Sequence, residues 1–380
     1  MTKVRKRTWT TPAGEARAAW VLDYRDQRGV RRSKQFTRKR DAEAAGTQIA
    51  YAVSQGIHTA ASGAPTVAEA ARLWIARAEA DNLERGTIQA YRQLAELHIV
   101  PLIGSRKVSS LSRPQVEAFR DDLLATRSRA MAGKAVRGLS SILKEAQRRG
   151  LLAQNVAGDV RVTMASRDRA TIVIPSNTEI KAILDEAGDN LRPMIMMAVL
   201  TGLRCSELRG LCWSAIDLKA GILTVSQRAD KFNQIGAPKS RAGRRDIPIA
   251  PVLVKELKAW KLRCPIGELG LVFPNSQGGV QDYGHLLRRK FQPLLISARV
   301  CDQVGETAKG EPIMKARYGF HAFRHAAASA WIKSRIDLKR LQVWMGHEDI
   351  QLTLDTYGHL LVDAEGDARL IAAASSHLLG

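Results

Sequence analysis

No stretch of 18 or more apolar residues occurs in this 380-residue sequence, so no helical membrane span is expected. The basic N-terminus, Met1 to Thr8, has no apolar segment behind it. It does not read as a secretory signal, which leaves the cytoplasm as the default compartment. Cysteine is scarce. Cys205, Cys212, Cys264 and Cys301 form no CxxC pair and no metal-ligand spacing, and they read as reduced, mostly buried thiols. No carboxylate cluster suited to metal ions stands out, so no metal and no cofactor is expected. Internal repeats and low-complexity tracts are also missing. Acidic residues are the most informative shortage: 37 Asp and Glu stand against 59 Lys and Arg, a net charge of +22. That excess is larger than solubility needs. It concentrates polyanions near the surface and favours phosphate contacts through counterion release, so nucleic acid is the implied partner.

What is present fits a soluble chain of two or three domains, with 45% hydrophobic residues. Residues 1–60 read as a small module. Val4–Thr10, Ala18–Tyr24 and Val30–Phe36 are expected strands, separated by turns holding Gly14 and Gly29. Thr37 is the expected N-cap of a helix from Arg38 towards Tyr51. This stretch carries 13 basic and 5 acidic residues. Gln55 to Pro65 reads as a linker. Residues 66–155 are expected to be helical. Thr66 and Glu69 form a capping box for a helix to about Ala80. A second helix runs from Thr87 to His98, ended by Pro101 and Gly104. Ser112 caps a third, with Pro114 in its first turn, and a fourth spans Ala130 to Arg149, closed by Gly150. After a polar connector at 153–175, residues 175–380 read as mixed: helices near 177–187 and 191–200, strands near 221–228 and 244–249, then helices.

Four short motifs carry the chemistry. They are Thr201-Gly-Leu-Arg-Cys-Ser-Glu-Leu208, Pro238-Lys-Ser-Arg-Ala-Gly-Arg-Arg-Asp-Ile-Pro248, His321-Ala-Phe-Arg324, and the run from Gly346-His347 to Tyr357. Each alone is weak, because HxxR and single tyrosines occur by chance in long chains. Together, and in this order, the sequence closely resembles the tyrosine recombinase (phage integrase) family. Arg204, Lys239, His321, Arg324, His347 and Tyr357 match that family's six positions. The catalytic match covers roughly 175–365, the helical region resembles the family's core-binding domain, and residues 1–60 more loosely resemble an arm-binding domain.

The chemistry requires these residue types. Attack of a phenol on a phosphodiester builds charge on the non-bridging oxygens, which must be held where it develops. Guanidinium groups present a planar, permanently charged fork to phosphate, so Arg204 and Arg324 are the candidates. Glu207, one helical turn from Arg204, is expected to pair with and orient it. Tyr357 is the candidate nucleophile, since its flanking residues are polar or small, unlike those of Tyr91 on an apolar helical face. A tyrosyl phosphate conserves the bond energy of the cut strand, so rejoining needs no ATP. Lys239 is the candidate proton donor to the leaving 5′ oxygen. His321 can pass protons or donate to phosphate, and His347 can donate to a non-bridging oxygen. His325 and His359 read as core histidines or supporting residues, and Trp344 and Met345 as packing.

The expected fold is therefore multidomain and mainly α: a small sheet-plus-helix N-terminal module, a helical core-binding domain, and an α+β catalytic domain. The resemblance implies a site-specific recombinase working through a 3′-phosphotyrosine. It would act as a homotetramer on double-stranded attachment sites, with accessory DNA-bending or excision proteins, at the nucleoid. Integration or excision of a phage or other mobile element is the implied role. A chromosome-dimer resolvase of the same family, a type IB topoisomerase and a catalytically silent DNA-binding protein are the rivals. The extra module at 1–60 argues against the resolvase, and the full set of six residues against the silent binder.

Overall fold

The computed structural model describes residues 2–12, 14–26, 29–54, 64–163, 173–358 and 375–376. His359, and the expected linker except Ala64 and Pro65, lie outside the described residues. The chain forms two units, Met1–Ala170 and Thr171–Gly380.

In the first unit, β1 (Lys3–Thr10), β2 (Ala16–Arg25) and β3 (Arg31–Phe36) form an antiparallel sheet in that order. Helix α1 (Lys39–Ser54) covers the sheet at Leu22. Ala42 is fully buried there, and a Cβ on Gly46 would lie 3.2 Å from Leu22 Cδ1, so small residues let the helix sit close. Thr37 is not the cap. The helix starts at Lys39, and the Arg38 carbonyl accepts the Ala42 N–H. The edge strands expose Lys3, Arg5, Lys6, Arg7, Arg31 and Lys34.

The helical part follows the expected caps. Helix α2 (Val67–Ala80) opens on the capping box, with Glu69 Oε2 accepting the Thr66 N–H at 2.7 Å. Next come α3 (Arg85–Leu94), a π turn over Ala95–Ile99, and α4 (Val100–Ile103). Pro101 was expected to stop the second helix and does not. The wide turn, in which Val100 N–H reaches back to the Ala95 carbonyl, relieves the ring clash that a proline causes in a regular helix. Helices α5 (Arg113–Thr126) and α6 (Arg129–Arg148) complete this region, and Gly150 (φ +69) turns the chain after α6. Ile99, Phe119, Leu139, Ile142 and Leu143 form its core. Tyr91 stacks on Trp74 with ring centroids 4.1 Å apart, the packing role expected of it.

In the second unit, α7 (Asn177–Glu186) opens on a Ser176–Glu179 capping box. Helix α8 (Arg192–Thr201) is apolar almost all round and lies in the core, with Met194, Ile195, Met197 and Ala198 buried. A short helix, α9 (Cys205–Gly210), follows at once. Strands β4 (Ile216–Asp217) and β5 (Ile222–Val225) pair, then β6 (Arg228–Ala229) and β7 (Ile235–Gly236) form a two-stranded ribbon. Strand β8 (Arg245–Pro248) returns to β5. Helices α10 (Pro251–Lys261), α11 (Tyr283–His285) and α12 (Gln292–Ser297) come next. The hairpin β9 (Cys301–Glu306) and β10 (Pro312–Ala316) corrects the expectation of helices to the end. Its alternation is hard to see in sequence because its apolar residues, Val304, Ile313 and Met314, are exposed. Helices α13 (Ala322–Lys333), α14 (Leu338–Met345) and α15 (Ile350–Tyr357) follow. All four cysteines are free and lie in this unit; they are half-buried rather than mostly buried.

Candidate active site

The site begins where α8 ends. Gly202 takes a left-handed conformation (φ +62), which stops α8 and turns the chain within two residues into α9. Arg204 is the N-cap of α9. Its backbone N–H donates to Glu207 Oε2 at 2.8 Å, while its side-chain Nη1 donates to Glu207 Oε1 at 3.0 Å. The expected pairing of these residues is thus present and doubles as a helix cap.

A second left-handed glycine, Gly346 (φ +60), ends α14. The last carbonyls of a helix lack partners inside it. Here guanidinium groups satisfy them. Arg245 Nε donates to the Trp344 carbonyl at 2.6 Å, Arg324 Nη2 donates to the Met345 carbonyl, and Arg204 Nη2 donates to the Gly346 carbonyl at 3.2 Å. Arg324 also donates through Nη1 to the Gly202 carbonyl at 2.8 Å, which ties the end of α8 to the end of α14. Trp344 and Met345 do pack, as expected; Trp344 meets Trp331 edge-on at 5.4 Å. Their carbonyls, which sequence cannot assign, are what hold the arginines.

Arg245 is the residue that sequence reasoning missed. It lies in the second motif, yet nothing in its spacing separates it from Arg241 or Arg244. Its side chain is 1% exposed and meets Glu207 with both terminal nitrogens, at 3.0 and 2.9 Å. Burial would raise the Glu207 carboxyl, but the hydrogen bonds and charge of Arg245, with Arg204 beside them, hold it down at about 2. Burial, then the charge of Arg204, pulls the Arg324 guanidinium down to about 9, still charged at neutral pH.

Tyr357, at the end of α15, is 2% exposed and packs with Ala328, Ile332, Leu341 and Met345. Its polar neighbours in sequence pointed away from the core, and that expectation is corrected. Asp355 faces outward, but Thr353, one turn before Tyr357, is buried on the same side of α15, and the ring fills a gap against α13 and α14. Its hydroxyl lies 2.8 Å from His325 Nδ1. Burial pushes the phenol up to about 12, although Arg324 and Arg204 pull the other way. His325, read from sequence as a core or supporting histidine, therefore has the tyrosine hydroxyl as its partner. Burial and Arg324 push its imidazole below the ordinary range.

His347 is buried, and its Nδ1 lies 2.8 Å from Thr353 Oγ1, which leaves Nε2 for another partner. Burial first, then Arg324, Arg204 and Arg245, lower it to about 4. His321 is exposed at the N-terminal end of α13, its ring 4.9 Å from that of His325. Desolvation, then the neighbouring imidazole of His325 and the guanidiniums of Arg324 and Arg204, push it below the ordinary range. Arg204, Glu207, His321, Arg324, His347 and Tyr357 thus form one electrostatic cluster. Lys239 is exposed, in the segment between β7 and β8.

This geometry suits a phosphate-handling site: guanidinium groups, neutral imidazoles and a protonated phenol around one ion-paired carboxylate. Comparisons with known proteins agree. The phage integrase family matches residues 176–363 and the phage integrase central domain matches 67–163. A XerC-like tyrosine recombinase of Caldanaerobacter subterraneus subsp. tengcongensis is 25% identical, over 67% of this chain and 69% of that protein. An integrase of Streptomyces ambofaciens is 25% identical, over 77% of this chain and 76% of that protein. The fold is shared with Tn1549 transposon integrase bound to transposon right end DNA (TM-score 0.67, 18% identity, 81% of this chain and 99% of that one). It is shared also with a lambda integrase tetramer bound to a Holliday junction (TM-score 0.57, 17% identity, 90% and 95%). The chain belongs to the tyrosine recombinase (phage integrase) family. It is a site-specific recombinase whose partner is DNA.

Proposed function

We propose that this recombinase integrates or excises a phage or other mobile element, cutting each strand through a 3′-phosphotyrosine at Tyr357. The observation that carries this is the convergence of Arg204, Arg324, His347 and Tyr357 on the turns that end α8 and α14. In this reading the Tyr357 oxygen attacks phosphorus and the bond to the 5′ oxygen breaks. Arg204 and Arg324 hold the non-bridging oxygens, with His347 Nε2 donating to one of them. His325, neutral and 2.8 Å away, receives the phenolic proton, His321 assists proton movement, and Lys239 protonates the leaving oxygen. Glu207 orients Arg204. The reverse attack by a 5′ hydroxyl releases the tyrosine and rejoins DNA. No step asks for a metal or cofactor.

Residues 66–155 then serve as the core-binding domain and 175–380 as the catalytic domain. Residues 1–60 read a second, arm-type site with their basic sheet. A homotetramer on paired attachment sites, in the cytoplasm at the nucleoid, completes the reading; the lambda integrase tetramer supports it. Accessory DNA-bending or excision proteins belong to it as well. The XerC-like relative favours a second reading, resolution of chromosome dimers. A nicked suicide substrate tests the chemistry. Wild type should trap a covalent adduct and Tyr357→Phe should bind DNA without forming one; an adduct from the Phe variant overturns the assignment.

A further inference from the structure

Arg209, next to the C-terminal end of α9, is absent from the six expected positions and is given no role in the proposed chemistry. It is nevertheless 2% exposed, and each nitrogen of its guanidinium meets a partner distant in sequence. Nη1 donates to the Asp230 carbonyl at 3.0 Å, Nη2 donates to Asn233 Oδ1, and Nε donates to the Gln281 carbonyl at 2.7 Å. Asp230 and Asn233 form the turn between β6 and β7. That turn is demanding: Asn233 is left-handed (φ +62), and Asp230 Oδ1 accepts the N–H groups of Phe232 and Gln234. The Arg209 guanidinium also lies 5.9 Å from the centre of the Tyr283 ring.

The neighbouring Gly210 shows how tightly α9 grips this ribbon. A Cβ there would come to 2.6 Å from the backbone of Arg228 and Ala229 in β6, and the Gly210 carbonyl accepts from Gln227 Nε2 at 2.7 Å. At its other end, α9 holds the strand that follows the ribbon, because Glu207 pairs with Arg245 of β8. The segment carrying Lys239 runs from β7 to β8. The six residues of α9 therefore clamp that segment on both sides, through Glu207 after it and Arg209 before it.

We propose that Arg209 is a positioning residue for Lys239, fixing the β6–β7 turn so that the lysine meets the leaving oxygen. This rests on the reading of Lys239 as the proton donor. A residue that only stabilises the fold would slow cleavage whatever the leaving group. A residue that places the proton donor matters little when the leaving group needs no proton. A DNA substrate with sulfur at the 5′-bridging position supplies that contrast, because a thiolate leaves unprotonated. Arg209→Met removes the grip. Asn233→Gly removes the accepting side chain while keeping a residue suited to the left-handed turn, and it guards against a folding failure of the buried arginine variant.

Single-turnover cleavage by the full chain is measured on both substrates. Both variants should be slowed about tenfold or more on the oxygen substrate and should approach wild type on the sulfur substrate. Lys239→Ala, run beside them, separates the two ways of failing. If sulfur rescues Lys239→Ala but neither Arg209→Met nor Asn233→Gly, the positioning role falls and the lysine reading stands. If sulfur rescues none of the three, both fall. Wild-type rates from both new variants on the oxygen substrate also overturn the proposal.

Discussion

Glu207→Gln is the perturbation whose size follows most directly from the structure. In the fold the carboxyl titrates at about 2, against an ordinary value of 4.5. At 1.36 kcal/mol per unit that difference corresponds to roughly 3 kcal/mol. Loss of one partner of a buried ion pair gives a similar figure, about 3–5 kcal/mol, because Arg245 would be left charged and 1% exposed. Between pH 4.5 and 2 the unfolded chain binds the proton that the folded chain refuses. The stabilisation is therefore whole above 4.5 and is lost as pH falls through 2. All four cysteines lie in the unit holding this pair, so pulsed thiol labelling of the full chain in urea reports that unit's unfolding selectively. With a slope of about 2 kcal/mol per M, the midpoint should fall by about 1.5 M in Glu207→Gln at pH 7. The double variant Glu207→Gln with Arg245→Met should be markedly less unstable than the sum of the two singles. A midpoint shift below about 0.5 M, or strict additivity, would refute the account of Glu207 as the counter-charge that holds the site together.

Gly346→Ala should cost about 1–2 kcal/mol from the left-handed backbone alone. Its Cβ would also lie 2.9 Å from Arg245 Nη1, so a thermal-shift assay should show a lower melting temperature and the suicide substrate less adduct. Arg204→Lys and Arg324→Lys should each slow adduct formation by about 100-fold or more, since a compact ammonium on a flexible stem cannot copy the planar, two-pronged guanidinium fork. Adduct formation by wild type should persist in EDTA; chelator-dependent loss restored by magnesium, with DNA binding unchanged, would defeat the arginine account. His347 titrates near 4 in the fold and near 6.5 when unfolded, so its contribution to stability is complete above 6.5 and disappears as pH falls through 4. His347→Gln, followed by the same labelling assay, should flatten stability across that window. A chain starting at Ala64 should cleave an isolated crossover site yet fail to integrate at a full attachment site, and equal integration would defeat the two-site reading of residues 1–60.

Much of this was legible in the sequence because caps and glycines are local signals. Thr66 with Glu69, Ser112 with Gln115, and Gly150 mark helix ends by chemistry confined to one turn. The pairing of Arg204 with Glu207 was legible for the same reason, three residues apart on one helix. What escaped was set by contacts between distant residues. Arg245 reaches Glu207 and Trp344 across 38 and 99 positions, and nothing in a run of basic residues marks which one turns inward. Tyr357 misled because polar neighbours do not mark an exposed face: Thr353, one turn earlier, is polar yet buried on the same side, and that face is chosen by α13 and α14. The β9–β10 hairpin escaped because an exposed hairpin has no buried face to produce an alternation. Pro101 shows the limit of a local rule, since one wide turn lets a helix continue through a residue that ordinarily stops it.

A deeper constraint links these features. Three guanidinium groups, from Arg204, Arg245 and Arg324, lie together and must remain so before any phosphate arrives. Carboxylates could neutralise them all, but a fully paired arginine is a poor phosphate ligand. The fold uses one carboxylate, Glu207, and gives most of it to Arg245, the arginine with both terminal nitrogens bound to it. The remaining repulsion is met by helix ends. The carbonyl end of a helix carries about half a negative charge, and the last two carbonyls of α14 with that of the capping Gly346 face the three arginines. Carbonyls can share a guanidinium with a second acceptor, so Arg204 and Arg324 keep further N–H donors for phosphate. The histidines add no competing charge, because burial beside these cations keeps His347 neutral at pH 7. Three guanidiniums against one carboxylate leave a site positive by about two charges, organised in advance and suited to a reaction in which phosphate gains charge at its peak. The two left-handed glycines are what make this possible. Gly202 and Gly346 end α8 and α14 abruptly enough for their terminal carbonyls to face side chains instead of continuing a helix.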